Sequence, residues 1–283
     1  MKFHVIEAGK FKLDGGAMFG VVPKMLWNKL NPADENNMCT WSLRCLLVEH
    51  EDRKILVDTG MGTKQDEKFR SHFFPHGNMD LIDSLRSKGF KPEDITDVII
   101  THMHFDHVGG AVKFDENKNL VPTFPNATYW TNKQHYDWAM NPNMREKASF
   151  LKENFVPLME AGVLELLDAG SKYKWMDRVE FGFYYGHTEA MIVPEFTMDN
   201  GKKLIYMADL MPSTAHVRLP YVMSYDIRPL NTLAERKTFY ERAIDEESYL
   251  FLEHDPVNEV FTLSKDAKGR YGVGEILKLE DLR

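Results

Sequence analysis

Side chains that bind metal ions are concentrated in the stretch THMHFDHVGG, Thr101 to Gly110. Within six consecutive positions it contains His102, His104, Asp106 and His107. In extended backbone the two imidazoles of an H-x-H pair point to the same side, because strand side chains alternate with a period of two. That pair can bind one ion, and the Asp-His pair beyond it is turned towards a second. Two glycines follow and let the backbone turn tightly and approach the ions closely.

Three further candidate ligands lie where strand-like segments end. His187 follows FGFYYG, Asp209 follows KLIYMA and His254 follows YLFLE. A polar residue at the end of an apolar run is what a site along one edge of a sheet requires. The seven residues are five histidines and two aspartates, a donor set that suits Zn²⁺ and also Fe or Mn. We therefore predict two divalent ions, with Zn²⁺ as the favoured metal.

The elements that must position these residues are short strands that alternate with helical stretches. Their mixture predicts an α/β (α+β) fold in one domain over residues 1–283, since no Pro-, Gly- or Ser-rich linker divides the chain. The predictions examined below are paired strands at Ser42–Val48 and Lys54–Val57, a helix at Asp80–Lys88, a buried strand at Asp97–Ile100, helices at Arg145–Met159 and Thr232–Ile244, and a hairpin around DAKGRYG.

Composition narrows the class of partner. The net charge of −8 argues against nucleic acid and anionic membranes, because both require clustered Lys and Arg. Charged residues interrupt the N-terminal stretch, and no apolar run reaches the length of a membrane span. Cys39 and Cys45 lie in an apolar stretch and are predicted to be buried without a disulfide. We expect a cytoplasmic protein that acts on a small molecule, and a homodimer is one alternative for its assembly.

The spacing of these motifs resembles that of the metallo-β-lactamase superfamily. The matching residues are Asp58-Thr59-Gly60, the THMHFDH run, Gly186-His187-Thr188, Ala208-Asp209 and Glu253-His254-Asp255. They span nearly the whole chain and occur in the order of the family. The resemblance implies a four-layer αββα sandwich with a binuclear metal site on one edge.

The same resemblance implies a role for each ligand. One ion is held by His102, His104 and His187, and Asp209 bridges the two ions. Asp106, His107 and His254 hold the second ion. Asp58 is expected to support the site without binding metal.

Within the superfamily, the segment Asp14–Trp27 looks like the branch of quorum-quenching lactonases that cleave N-acyl-homoserine lactones. Relatives that hydrolyse organophosphate and aryl esters have a similar segment, so these substrates are the alternative. On the functional interpretation the segment is a flap that offers an apolar wall to an acyl chain or aromatic group. Its substrate-binding residues would be Met18, Phe19, Met25, Leu26 and Trp27. The other interpretation is a glycine turn followed by ordinary apolar packing.

Two positions depart from the lactonase pattern. Pro212 stands where lactonases of this branch have a tyrosine close to the substrate carbonyl, and Ala190-Met191 replaces a small polar pair. His216 lies nearby and could donate the missing hydrogen bond, which makes it a candidate catalytic residue. A surface or core histidine is the alternative for that position.

The resemblance implies hydrolysis by a hydroxide shared between two ions, with Asp106 as a catalytic residue that orients the hydroxide and passes a proton to the leaving group. His104 stands where oxygen- or nitric-oxide-reducing relatives have glutamate, and no flavin-binding segment follows. A metal- or effector-binding protein without turnover is the remaining non-enzymatic hypothesis.

Overall fold

Two large β-sheets and one short two-stranded sheet form the framework of the computed structural model, which describes residues 1–170 and 172–282. The chain divides into two units. Unit 1 comprises Met1–Lys10 and Leu43–Ala169, and unit 2 comprises Phe11–Ser42 and Gly170–Arg283. His102, His104, Asp106 and His107 lie in unit 1, and His187, Asp209 and His254 lie in unit 2, so the ligand residues predicted from the sequence fall into two sets.

The described strands are β1 (Lys2–Asp14), β2 (Met38–His50), β3 (Arg53–Val57), β4 (Asp97–Ile99), β5 (Val112–Phe114), β6 (Leu120–Pro122), β7 (Thr128–Asn132), β8 (Leu164–Leu167), β9 (Lys172–Met176), β10 (Val179–Tyr184), β11 (Met191–Thr197), β12 (Lys203–Tyr206), β13 (Tyr249–Phe251), β14 (Val260–Lys265) and β15 (Tyr271–Leu277). The described α-helices are α1 (Gly15–Phe19), α2 (Lys24–Trp27), α3 (Glu67–Phe73), α4 (Leu81–Ser87), α5 (Phe105–Val108), α6 (Lys133–Met140), α7 (Val156–Glu160) and α8 (Pro229–Asp245).

The first sheet has six strands in the order β1-β2-β3-β4-β7-β8. β2 and β3 pair antiparallel, as predicted, whereas β4 pairs parallel with β3 on one side and with β7 on the other. All three residues of β4 are buried, which is typical of a central parallel strand covered on both faces. The core of unit 1 includes Leu47, Leu56, Val98, Ile100 and Tyr129.

The predicted helix at Asp80–Lys88 is confirmed as α4. The side chain of Asp80 accepts a hydrogen bond from the backbone N–H of Asp83 and so caps the first turn. Leu81 and Leu85 are buried, and Gly89 follows the helix with a φ of 85°, which only glycine adopts without strain.

The predicted helix at Arg145–Met159 is wrong. A 3₁₀ turn occupies Lys152–Asn154, and α7 begins only at Val156. Pro157 lies in the first turn of α7, because proline lacks the N–H that a helix interior requires but is accommodated where those donors have no helical partner. The apolar spacing of this stretch thus reflects packing of separate short turns.

The second sheet has seven strands in the order β15-β14-β13-β12-β11-β10-β9, and β12–β13 is its one parallel pair. The predicted hairpin is confirmed as β14–β15, whose turn is closed by a hydrogen bond from Asp266 N–H to the Arg270 carbonyl. The helix predicted at Thr232–Ile244 is confirmed as α8, which begins with Pro229. None of the helices in the described part of the chain is long and apolar enough to cross a membrane.

Candidate metal centre

The first set of predicted ligands lies in unit 1, beyond the end of β4. The backbone of this stretch turns into α5, which carries Asp106 and His107. The ring centroids of His102 and His104 are 4.6 Å apart, and those of His102 and His107 are 3.9 Å apart. His104 and Asp106 are 7% and 8% exposed, and the other two are fully buried. Unit 1 therefore brings all four predicted ligands of the opening motif together.

Asp58 fixes this set from the end of β3. One carboxylate oxygen accepts a hydrogen bond from the Thr101 backbone N–H at 2.8 Å, and the other accepts from the Thr101 hydroxyl at 2.7 Å. The second oxygen also accepts from His107 Nδ1–H at 3.1 Å. This bond leaves Nε2 of His107 as the atom that would bind a metal ion, since a metal-binding imidazole commonly donates its other N–H to a carboxylate. The contacts agree with the supporting role expected for Asp58.

The glycines after the ligands are required by close backbone contact. A Cβ on Gly110 would lie 2.2 Å from the carbonyl oxygen of Thr59, and a Cβ on Gly109 would lie 2.1 Å from that of Met61. Thr59 N–H also donates to the His107 carbonyl at 2.8 Å. The segment after β3 and the segment after α5 therefore lie directly against each other.

Substitution of Gly110 by alanine should destabilise this contact. We expect Gly110→Ala to lower the free energy of unfolding by about 1–3 kcal/mol, the usual cost of overpacking, because the obstacle is backbone and not a flexible side chain. Urea unfolding of the variant and the parent protein measures the change. Gly170→Ala is the control, because among the described residues its Cβ would meet no atom nearer than 4.0 Å. Equal stability of the parent and Gly110→Ala would contradict the prediction.

Glu146 is a neighbour of the first set that the sequence did not reveal. Its Oε1 lies 3.5 Å from Nε2 of His104. Its Oε2 accepts hydrogen bonds from Trp138 Nε1–H at 2.8 Å and from the Asn143 amide at 2.5 Å. The side chain is 3% exposed, so a carboxylate is held in the interior beside a predicted ligand.

The second set of predicted ligands lies in unit 2 and is centred on Asp209. One carboxylate oxygen of Asp209 lies 3.0 Å from Nε2 of His187, and the other lies 3.3 Å from Nε2 of His254. Two donors that bind one Zn²⁺ at 2.0–2.1 Å with a tetrahedral angle are roughly 3.3 Å apart. Each oxygen of Asp209 thus lies near a different imidazole, at about the spacing of two ligands of one ion.

The other nitrogen of each imidazole in this set is held by an acceptor. His187 Nδ1–H donates to Asp226 at 2.9 Å, and His254 Nδ1–H donates to the carbonyl of Ser42 at 2.8 Å. Both rings are therefore fixed with Nε2 towards Asp209. Asp226 was not found from the sequence, because it lies 39 residues from His187 in no recognisable motif.

The electrostatics of the second set favour a bound cation. Burial alone would lower the pKa of His187, but the carboxylates of Asp209 and Asp226 outweigh it and raise the pKa to about 10. A pocket that stabilises a proton on a fully buried imidazole has an excess of negative charge. Imidazole and carboxylate donors with that excess fit a divalent metal ion.

A family model agrees with this donor set. Residues 44–254 match the model of the metallo-beta-lactamase superfamily, which is about three quarters of the chain. The chain belongs to the metallo-beta-lactamase superfamily. The predicted fold class is confirmed, because the superfamily fold combines mixed sheets with helices as this chain does.

Individual members of the superfamily are similar to this chain at low identity. An N-acyl homoserine lactonase from Bacillus cereus is 26% identical over 197 residues, which is 66% of this chain and 66% of that protein, just under two thirds of its length. A solved structure of a probable metal-dependent hydrolase from Staphylococcus aureus superposes with a TM-score of 0.86 at 26% identity and covers 98% of both chains. AidC, a dizinc quorum-quenching lactonase solved in complex with a product, has a TM-score of 0.78 at 24% identity, with 98% of this chain and 95% of that chain covered. This last likeness shows the fold.

The five residues predicted to bind the substrate differ in their exposure to solvent and do not form one surface. Met18, Phe19 and Trp27 are at most 2% exposed, whereas Met25 and Leu26 are 83% and 52% exposed. Phe19 and Trp27 stack on each other with ring centroids 5.0 Å apart. Met18, Phe19 and Trp27 thus pack inside unit 2, whereas Met25 and Leu26 form the exposed apolar surface of the segment.

His216 joins this packing and has both ring nitrogens bonded. Its Nε2–H donates to the Met18 carbonyl at 2.9 Å, and its Nδ1 accepts from the hydroxyl of Ser213 at 2.8 Å. The ring stacks on Phe19 at 4.7 Å between centroids, with an interplanar angle of 2°. Burial lowers the pKa of His216 to about 4, and the charge of Arg236 adds to the effect. His216 is therefore a neutral, fully buried imidazole, and its hydrogen bond to Met18 links the Met18 segment to the loop after β12.

The lowered pKa predicts that stability depends on pH. The unfolded chain takes up the His216 proton near pH 6.5 and the folded chain only near pH 4, so the free energy of unfolding falls as pH falls through this window. We expect the contribution to reach at most roughly 3.5 kcal/mol, since one proton contributes about 1.4 kcal/mol per pH unit. Urea unfolding of metal-free protein at several pH values should show a shallower decline for His216→Gln, which keeps a donor and an acceptor. His72→Gln, at an exposed position, is the control. Identical slopes for the parent protein and His216→Gln would contradict this prediction.

Proposed function

We propose that this chain is a binuclear metal-dependent hydrolase that opens lactone or ester bonds, with N-acyl-homoserine lactones as the favoured substrates. The observation that carries the proposal is the placement of Asp209, whose two oxygens each face Nε2 of a different buried imidazole. Membership of the metallo-beta-lactamase superfamily and the similarity to an N-acyl homoserine lactonase support the substrate class. AidC, which shares the fold, is described as a quorum-quenching lactonase, and this suggests the same role for the present chain.

We propose that the ligand sets of the two units act together. The family match at residues 44–254 includes both sets and supports this pairing. Zn²⁺ is the proposed metal, because imidazole and carboxylate ligands suit it and a dizinc lactonase shares the fold. In the proposed assignment His102, His104 and His187 would hold one ion, Asp106, His107 and His254 would hold the other, and both would share Asp209.

Two bound divalent ions would supply Lewis acidity and lower the pKa of water, which is the chemistry that ester and lactone hydrolysis needs. The residues of this chain would orient and desolvate the reacting groups. Asp106, at 8% exposure, retains limited access to solvent. We propose that it accepts a proton from the attacking water and passes it to the leaving oxygen as the bond between that oxygen and the acyl carbon breaks. Because both nitrogens of His216 are bonded within the protein, we propose that His216 positions the Met18 segment and does not contact substrate.

Met25 and Leu26 are the proposed contacts for an acyl chain. They are the exposed apolar side chains among the five candidates, so they can cover an apolar substituent without a rearrangement of the core. Met18, Phe19 and Trp27 would support α1 and α2 from inside unit 2.

Organophosphate and aryl esters are the second candidate substrates. The favouring observation is Pro212, which is buried and offers no hydroxyl at the position where lactonases of this branch have a tyrosine. A carbonyl-directed donor is therefore missing from that position. A phosphotriester, which has no carbonyl, would be less affected by the absence.

A substrate panel on Zn²⁺-loaded and Mn²⁺-loaded protein tests the proposal. The panel contains N-acyl-homoserine lactones of several chain lengths, followed by proton release, and p-nitrophenyl esters and phosphotriesters, followed by absorbance. We expect turnover of the lactones, and Asp209→Asn prepared in the same way controls for contaminating hydrolases. Cleavage of phosphotriesters with untouched lactones would favour the second candidate. Bound metal without turnover of any substrate would favour the non-catalytic hypothesis.

A further inference from the structure

One turn of α8 contacts the segments that carry two of the proposed ligands. Thr232, Glu235 and Arg236 are spaced i, i+3 and i+4, so their side chains lie on one face of the helix. Thr232 and Arg236 are fully buried. We refer to these three residues as the α8 triad. The mechanism proposed above assigns none of them a role.

Thr232 is connected to His187 through Asp226. The Thr232 hydroxyl donates to Oδ2 of Asp226 at 2.8 Å, and Oδ1 of the same carboxylate accepts from His187 Nδ1–H at 2.9 Å. Asp226 is 1% exposed, so neither bond is exchanged freely with water. The Thr232 hydroxyl thus holds the Asp226 carboxylate in the position that orients the His187 ring.

Glu235 holds the backbone immediately before His187. Its two carboxylate oxygens accept hydrogen bonds from the N–H of Tyr185 at 2.7 Å and of Gly186 at 3.0 Å. Gly186 lies directly against the helix, because a Cβ there would be 2.3 Å from the Thr232 hydroxyl oxygen and 2.5 Å from its backbone nitrogen. The position of His187 is therefore set from its backbone as well as from its ring.

Arg236 holds the segment that follows Asp209. Its guanidinium donates to the carbonyls of Leu210 at 2.5 Å, Tyr221 at 2.8 Å and His216 at 3.3 Å. A buried guanidinium bonded to three carbonyls is costly unless those bonds are kept, so the loop after β12 is strongly constrained to this path.

We propose that the α8 triad is a positioning element for the second ligand set, and that its Thr232–Asp226 contact acts selectively on the ion bound through His187. The inference rests on the proposed binuclear function. The selectivity follows from the different supports of the two imidazoles. His187 is oriented by Asp226 and the triad, whereas His254 is oriented by the carbonyl of Ser42, which the triad does not contact.

Thr232→Val is the sharpest test, because it removes the hydroxyl and keeps the volume and β-branching of the side chain. Co²⁺ titration of metal-free protein, followed by visible absorption against a competing chelator, reports the two ions separately. We expect one equivalent to bind about 10- to 100-fold more weakly, as is typical when a partner that orients a ligand is lost, and the other to bind as in the parent protein. Thr232→Ser should restore the affinity, since it restores the hydroxyl.

Thr238→Val is the matched control, because the Thr238 side chain is exposed and its hydroxyl bonds to the Ala234 carbonyl of its own helix. Circular dichroism and thermal unfolding establish that all variants are folded. Parent-like binding of both equivalents by Thr232→Val, or equal weakening of both, would overturn the inference while the binuclear function stands. If the parent protein itself binds fewer than two equivalents, the proposed binuclear site fails and the inference falls with it.

Discussion

Exchange of Asp209 for asparagine should abolish most hydrolysis and most metal binding. An amide offers one oxygen where the carboxylate offers two, and its NH₂ group would face one of the two imidazoles now 3.0 and 3.3 Å from the carboxylate oxygens. The variant also loses the negative charge that raises the pKa of His187. We expect kcat/KM to fall by more than the about 10- to 100-fold that is typical for loss of a residue that only orients a ligand.

Metal content by mass spectrometry and kcat/KM on the best substrate of the panel measure this effect together. Asp177→Asn is the matched control, because it makes the same change at an exposed position of unit 2. We expect the control to bind two ions and to turn over normally. Retention of two tightly bound ions by Asp209→Asn would show that the carboxylate does not bridge and would refute the proposed ligand assignment. His104→Ala should produce a comparable loss through the first set of ligands.

The candidate ligands could be proposed from the sequence because the requirements of metal binding are local. The motif at Thr101–Gly110 has four side chains able to bind a metal within a short stretch, and each of the later candidates follows an apolar run. β4 and α8 were likewise predictable, since β4 is a short continuous apolar run and α8 is a long helix with apolar residues at helical spacing. Features that depend on a few neighbouring residues can thus largely be predicted from the sequence.

The residues that hold the ligands could not be found in this way. Asp226 and Glu146 act through side-chain contacts with residues about 40 positions away, and no local pattern separates them from surface acids. The segment Met18–Trp27 was also ambiguous, because buried and exposed apolar side chains are alike in sequence. Only the fold shows that Phe19 is buried against His216 while Met25 faces solvent. Tertiary contact, and not local propensity, decides these roles.

Exchange of Asp58 for asparagine should weaken the first ligand set without dismantling unit 1. Asp58 is fully buried and has a φ of 56°, a conformation that asparagine tolerates about as well as aspartate. The exchange therefore tests the carboxylate and not the backbone. Its oxygens accept three hydrogen bonds, two from Thr101 and one from His107, and an amide can replace only one of those oxygens as an acceptor.

The NH₂ group of the amide would then face the donor groups of Thr101 and His107. We therefore expect the His107 ring to rotate and its ion to bind about 10- to 100-fold more weakly. The free energy of unfolding of metal-free protein should fall by about 1–3 kcal/mol, because buried donors lose their acceptor. Chelator competition and urea unfolding measure the two effects. Glu51→Gln is the control, since it is also an acid at positive φ, 54°, but is exposed in a turn. Parent-like metal affinity in Asp58→Asn would mean that the bond from His107 Nδ1 does not orient the ligand, and the role assigned to Asp58 would have to be withdrawn.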